Sequence, residues 1–207
     1  MKHILLFYFF CLIHISSYAQ TEKGKRIVGG QFSFYGRKLS YQDSLRSSKT
    51  TGTSITIAPN FGYFIKDNFA IGITGKFGLS SQNYNNSQYP NIGKVISINY
   101  GLGGFARYYK KINDKFSFFI DANILYAYYA GNTKMDYHSN SFYAIVYPGL
   151  VYFPSPRLGI EASFGSFNYN YTISKARNVS YDNYSKGSSY GLFLYPSTLY
   201  WGMNYYF

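Results

Sequence analysis

Leu199-Tyr200-Trp201-Gly202-Met203-Asn204-Tyr205-Tyr206-Phe207 closes the chain, and its apolar residues recur at every second position: Leu199, Trp201, Met203, Tyr205, Phe207. A repeat of two is that of a β-strand, whose successive side chains point to opposite faces. One face of this strand is oily. The other carries Gly202 and Asn204 and suits a polar interior. A terminal strand with lipid on one side and a polar lumen on the other, ending on an aromatic residue, is the closing strand expected of a transmembrane β-barrel.

The opposite end supplies an address. Met1-Lys2-His3 is a short basic start, Ile4 to Ile15 is an apolar run, and Ser17-Tyr18-Ala19 offers small residues where a signal peptidase reads. The expectation is a signal peptide over 1–19, cleaved after Ala19, and a mature domain over 20–207. The apolar run is shorter than the roughly 20 residues a spanning helix needs. The sole cysteine, Cys11, lies inside it, follows Tyr8-Phe9-Phe10 where a lipoprotein signal has small residues, and is expected to leave with the signal.

Composition narrows the class further. Aromatic residues make up 22% of the chain, with 26 Tyr, 19 Phe and 1 Trp, and there are 20 Gly. Mean hydropathy is −0.19 although 46% of residues are hydrophobic. Alternation reconciles the two values, since half of each membrane strand faces lipid and half faces a polar lumen. No segment after the leader is a continuous apolar helix, and about 190 mature residues make one domain.

An internal repeat sets the strand count. Pro59-Asn60-Phe61-Gly62-Tyr63-Phe64, Gly104-Phe105-Ala106-Arg107-Tyr108-Tyr109 and Pro148-Gly149-Leu150-Val151-Tyr152-Phe153 share a Pro or Gly followed four residues on by an aromatic pair, and Pro196 to Tyr200-Trp201 is a weaker fourth copy. The spacing, roughly 45 residues, fits two membrane strands with one short and one long connection. Four units make an eight-stranded antiparallel up-and-down barrel. Turns are expected at 65–68, 110–114 and 154–157 on the periplasmic side, and longer loops at 39–52, 80–94, 130–141 and 172–187 outside. Lipid-side positions include Ile55, Ile57, Phe61 and Tyr63, then Ile71, Ile73, Phe77 and Leu79, then Phe116, Phe118, Ile120, Ala122, Ile124 and Tyr126. Prolines 59, 148 and 196 each remove a ladder donor and are expected at bulges near the rim.

The stretch Ile57-Ala58-Pro59-Asn60-Phe61-Gly62-Tyr63-Phe64-Ile65-Lys66-Asp67-Asn68-Phe69-Ala70-Ile71-Gly72 resembles the signature hairpin of the small eight-stranded outer-membrane β-barrel domain family, the OmpA- and OmpX-like, porin-like barrels of Gram-negative bacteria. Phe105-Ala106-Arg107-Tyr108-Tyr109 and Gly202-Met203-Asn204-Tyr205-Tyr206-Phe207 resemble two further blocks of that family, with Gly104 where it often has Pro. The resemblance spans the mature chain and implies fold far more than activity. It implies that Trp201, Met203, Tyr205 and Phe207 form the signal read by the barrel-assembly machinery. With no peptidoglycan-binding segment after Phe207, a wall-tethering role is not expected.

Chemistry-bearing patterns are sparse. Gly101-Leu102-Gly103-Gly104-Phe105-Ala106 fits the dinucleotide G-x-G-x-x-A pattern, with Asp121 following at the right distance. That fingerprint requires a helix after the glycines, but Arg107-Tyr108-Tyr109 continues a strand. His138, with Asp136, Ser139 and Ser141, falls in an expected outer loop, and a lipid A-modifying enzyme built on His and Ser is the rival it raises; a solvated loop is the simpler account. No metal cluster or cofactor motif is expected.

Charges expected to point inward make a better target. By alternation Lys76, Arg107, Asp121 and Glu161 face the lumen from four different strands, two cations against two anions. An eight-stranded barrel is only just wide enough for side chains, so such a network is expected to plug it and hold it together, the alternatives being a narrow channel or a ligand-binding barrel. The net charge is +12, or +11 without Lys2. Its cations are scattered, unlike a nucleic-acid patch. Arg37, Lys38, Arg46, Lys49, Lys94, Lys134, Lys175, Arg177 and Lys186 fall near the outer rim, facing the phosphates of lipopolysaccharide. The reading is a monomeric outer-membrane barrel with a structural or surface-interaction role and no catalysis.

Overall fold

The computed structural model describes residues 20–42, 47–86, 93–132, 136–178, 181–193 and 199–207; the expected leader and Pro196 lie outside them. Ten antiparallel strands are present among the described residues: β1 Arg26–Gln42, β2 Ser47–Lys66, β3 Phe69–Asn86, β4 Gly93–Lys111, β5 Phe116–Asn132, β6 Asp136–Ser155, β7 Leu158–Phe164, β8 Ser166–Asn178, β9 Tyr181–Phe193 and β10 Leu199–Tyr206. They form eight staves. β7 and β8 are halves of one, parted at Gly165, whose φ of +69° favours glycine, and β9 and β10 are halves of another. Each stave pairs with its sequence neighbour, and β1 pairs with β10 from Ile27↔Tyr206 to Phe32↔Trp201 to close the ring. Above Phe32, the described residues of β1 pair with β2 alone, and those of β9 pair with β8 alone.

Turn chemistry sets one end of the barrel. Asp67-Asn68 joins β2 to β3 with Asn68 at φ +62°, a left-handed conformation that Asn tolerates better than most residues. The segment before β1 folds over this turn: Asn68 N donates to the Thr21 carbonyl at 2.7 Å and Lys23 N donates to Asp67 Oδ1 at 2.8 Å. Between β4 and β5, Asn113 Oδ1 accepts from the backbone of Lys115 and Phe116 at 2.9 and 2.8 Å. Lys111 beside it, 2.7 Å from Asp114, holds that exposed carboxyl below its usual range. Arg26 and Phe207 meet at this end, where they exchange backbone bonds of 2.7 and 3.0 Å.

Alternation divides the wall as expected. Ile73, Leu102 and Trp201 are 59%, 67% and 60% exposed, whereas lumen-facing Ile27, Phe64 and Phe119 are fully buried. The exposed apolar positions run around every stave. A belt of that extent far exceeds the patches a soluble monomer shows, and hydrocarbon is the solvent that fits it. The chain is a membrane barrel.

Two expectations are corrected. The loops expected at 39–52, 80–94, 130–141 and 172–187 are largely strand among the described residues, and β2 and β6 each run for 20 residues. For the same reason Pro59 and Pro148 sit at mid-stave, away from the rim. The β2–β3 ladder skips from Ile57↔Phe77 to Asn60↔Thr74, so Pro59 falls where no donor is required. Pro148 lies where β6 changes partner, between Val146↔Phe167 and Gly149↔Ser163, beside the break at Gly165.

Glycines on the lumen face admit the core aromatics. A Cβ at Gly62 or Gly72 would stand 2.7 or 2.6 Å from the Phe105 ring, and at Gly72 it would also strike the Phe61 carbonyl oxygen. Folded protein should migrate differently on gels before and after boiling. Gly72→Val should destabilise it by about 1–3 kcal/mol through overpacking, read as a lower urea midpoint of that gel shift; an unchanged midpoint would mean that β2 and β3 can spread at this level.

Candidate functional site

Arg107 on β4 is directly opposite Asp121 on β5 in the ladder, so the register alone sets these two side chains together. Glu161 reaches them across the lumen from β7. Arg107 Nε donates to Asp121 Oδ2 at 2.6 Å, Nη2 pairs with the same carboxylate, and Nη1 donates to Glu161 Oε1 and Oε2 at 2.7 and 2.9 Å. Arg107 is 2% exposed and each carboxylate 1%. The guanidinium lies 4.7 Å from the Phe119 centroid and 5.7 Å from that of Phe105, so aromatic faces cover what the carboxylates leave.

One cation against two anions leaves an excess negative charge, and neutral donors supply the rest. Tyr206 Oη donates to Glu161 Oε1 at 3.2 Å, Tyr147 Oη to Asp121 Oδ2 at 3.2 Å, and Asn123 Nδ2 to Asp121 Oδ1 at 2.7 Å. Tyr109 Oη accepts from Arg107 Nη1 at 3.2 Å and lies 3.0 Å from Tyr206 Oη. The sequence reading missed these tyrosines. Tyr109 shares the lumen parity of Arg107 and Tyr206 that of Gly202 and Asn204, signals that were there to be read, whereas barrel closure decides that Tyr147 and Tyr206 reach the level of Arg107.

Lys76 is the correction to the expected four-charge network. It faces the lumen, but on the β3–β4 ladder it pairs with Gly101, whereas Arg107 pairs with Ala70. Those levels are six residues, roughly 20 Å, apart along the strand. Alternation specifies a face and leaves height to the register. Lys76 Nζ lies 5.4 Å from the Tyr143 ring centroid instead.

The remaining candidates separate. His138 is in strand β6, not a loop, and stacks on Tyr128 with centroids 6.2 Å apart, on the outward side. Ser139 and Ser141 are buried on the lumen side, with Ser141 Oγ 2.8 Å from Thr172 Oγ1. Opposite faces of one strand cannot form a nucleophile–base pair. The glycines of the G-x-G-x-x-A match lie within the unbroken strand β4, so no helix opens after them. Trp201, Met203, Tyr205 and Phe207 all point outward, with the last two rings 5.9 Å apart. Arg37, Lys38, Lys49, Lys94, Lys175 and Lys186 stand on strand segments away from the tight-turn end, as does position Arg177; Arg46 and Lys134 lie outside the described residues.

Removing one partner from such a cluster strands a buried charge. Arg107→Leu should destabilise the barrel by about 3–5 kcal/mol, measured by urea unfolding in micelles. Adding Asp121→Asn and Glu161→Gln to it should recover more than half of that loss, because the anions then no longer need the cation. A full loss in the triple variant would place the energy in packing rather than charge.

No protein-family model matches the chain, and neither does any characterised protein sequence. Among solved structures, the outer membrane protein OprG from Pseudomonas aeruginosa matches at 13% identity with a TM-score of 0.56, over 92% of this chain and 99% of that one. A major outer membrane protein from Thermus thermophilus matches at 13% identity and a TM-score of 0.47, over 90% of this chain and 100% of that one. Neisserial surface protein A matches at 18% and 0.42, over 88% and 97%. The likeness to OprG is one of fold: the chain is built as small eight-stranded outer-membrane barrels are built.

Proposed function

We propose that the chain is an integral protein of a Gram-negative outer membrane, sealed across its tight-turn half, which acts through its outer surface and not by catalysis. The observation that carries this reading is the Arg107 cluster, where a guanidinium, two carboxylates and three tyrosines lie side by side in a lumen barely wider than the side chains themselves. Water and ions crossing it would have to break several charge-assisted hydrogen bonds at once. The apolar belt supports residence in a bilayer, the OprG-like fold supports the outer membrane, and the basic leader and Ala19 support export with cleavage of 1–19.

The outer half of the barrel is where a partner has access. Phe34, Tyr35 and Tyr41 on β1 and Tyr184 and Tyr190 on β9 are more than half exposed there, and tyrosine supplies contact area at low entropic cost. Arg37, Lys38 and Lys49 beside them suit the phosphates of lipopolysaccharide. The protein works as a monomer in this reading, with the barrel-assembly machinery reading Trp201, Met203, Tyr205 and Phe207 during insertion. The opposed orientations of His138 and Ser139 weigh against a lipid A-modifying activity.

In planar bilayers the purified protein should show no large steady conductance; a stable open level would overturn the sealed lumen. Lipid A profiles should be the same with and without the gene, and an altered acylation pattern would return the enzyme to consideration.

A further inference from the structure

The lumen above the Arg107 cluster holds a cavity of about 340 Å³, whose lining includes Ser33, Thr56, Lys76, Ile145, Ser163 and Asn168. That is enough for a single-ring small molecule. Lys76 is its only formal charge among the described lining residues. It is half-buried, and the buried carboxylates among the described residues, Asp121 and Glu161, are both held by Arg107, with the Asp121 oxygens further occupied by Asn123 and Tyr147. The one described contact of its ammonium group is the face of Tyr143. Ser33, Thr56, Ser163 and Asn168 are polar residues of that same lining.

An ammonium group drawn into a protein interior without an anion is costly. A bound anion relieves that cost, and one with an apolar body also suits Ile145 on the lining. We propose that this cup binds a small organic carboxylate, with Lys76 as the counter-ion. The hydroxyls of Ser33, Thr56 and Ser163 are neutral and can serve either end of such a molecule. The proposal rests on the sealed-lumen reading for the floor of the cup, and conductance tests that floor separately from the binding measured below.

The full mature chain, refolded in a zwitterionic detergent, is titrated calorimetrically with 4-hydroxybenzoate, benzoate, methyl 4-hydroxybenzoate and inorganic phosphate. Saturable one-to-one binding of 4-hydroxybenzoate is expected, weakened at least about tenfold in the methyl ester and in Lys76→Met, and retained in Lys76→Arg. Benzoate should also saturate the protein, because the carboxylate is the group that Lys76 holds. Lys76→Met should fold, by the gel shift on boiling, because it removes no described ion pair; Lys76→Gln provides the same comparison. The proposal fails if no carboxylate saturates the protein, if Lys76→Met binds as the parent does, if phosphate binds as tightly as the carboxylate, or if neither Lys76 variant folds, which would make the lysine a structural member of the wall.

Discussion

The structure depends on one constraint: eight tilted staves enclose a lumen that side chains can just fill, so whatever points inward must pack against whatever points inward from every other stave. The Arg107 cluster is how this chain meets that constraint with polar groups. In water an ion pair is worth little. In a lumen walled by Phe105 and Phe119 and screened from solvent it is strong, provided that every oxygen has a donor. Asp121 and Glu161 each have more than the guanidinium alone could give, because Tyr147, Asn123 and Tyr206 complete them.

Lumen glycines follow from the same geometry. The large rings that cover Arg107 need space that neighbouring staves can provide only by having no side chain at that level, and Gly62 and Gly72 face Phe105 while Gly149 faces Phe119. Aromatic bulk and glycine thus occur as partners on neighbouring staves, as in Gly72↔Phe105 and Gly149↔Phe119. An abundance of both, unusual for a soluble domain, is what a narrow wall filled by few large side chains demands. Gly101 of the apparent dinucleotide pattern has another cause, close backbone approach: a Cβ there would stand 2.8 Å from the Tyr126 carbonyl oxygen.

Much of the fold could be read from period two alone. Strand β3 shows its apolar face as Ile71, Ile73, Phe77, Leu79, and the structure exposes all four. The closing strand likewise turns Trp201 and Met203 outward and Asn204 inward. What alternation could not supply was length and height. Polar stretches such as Ser80-Ser81-Gln82-Asn83 have no oily face, so they read as loop, yet their backbones continue the ladder against Thr51, Gly52, Thr53 and Ser54. Height depends on stagger between staves, a property of the closed sheet and not of any one segment. This is why Arg107, Asp121 and Glu161 come together while Lys76, of the same parity, stands apart.

That separation gives the two cations of the lumen different physical roles. Arg107 is held by two carboxylates and flanked by rings, with its charge fully compensated inside the wall, and a planar guanidinium with five donors suits so many fixed acceptors. Lys76 carries a compact charge on a flexible stem, in a cavity with hydroxyls but no anion of its own among the described residues. A fold that needed only neutrality at that level could have placed any polar residue there, as it does at Thr56 and Ser33. A lysine whose one described contact is a tyrosine ring keeps its attraction for an anion unspent, while Arg107, at another level of the same lumen, holds both carboxylates.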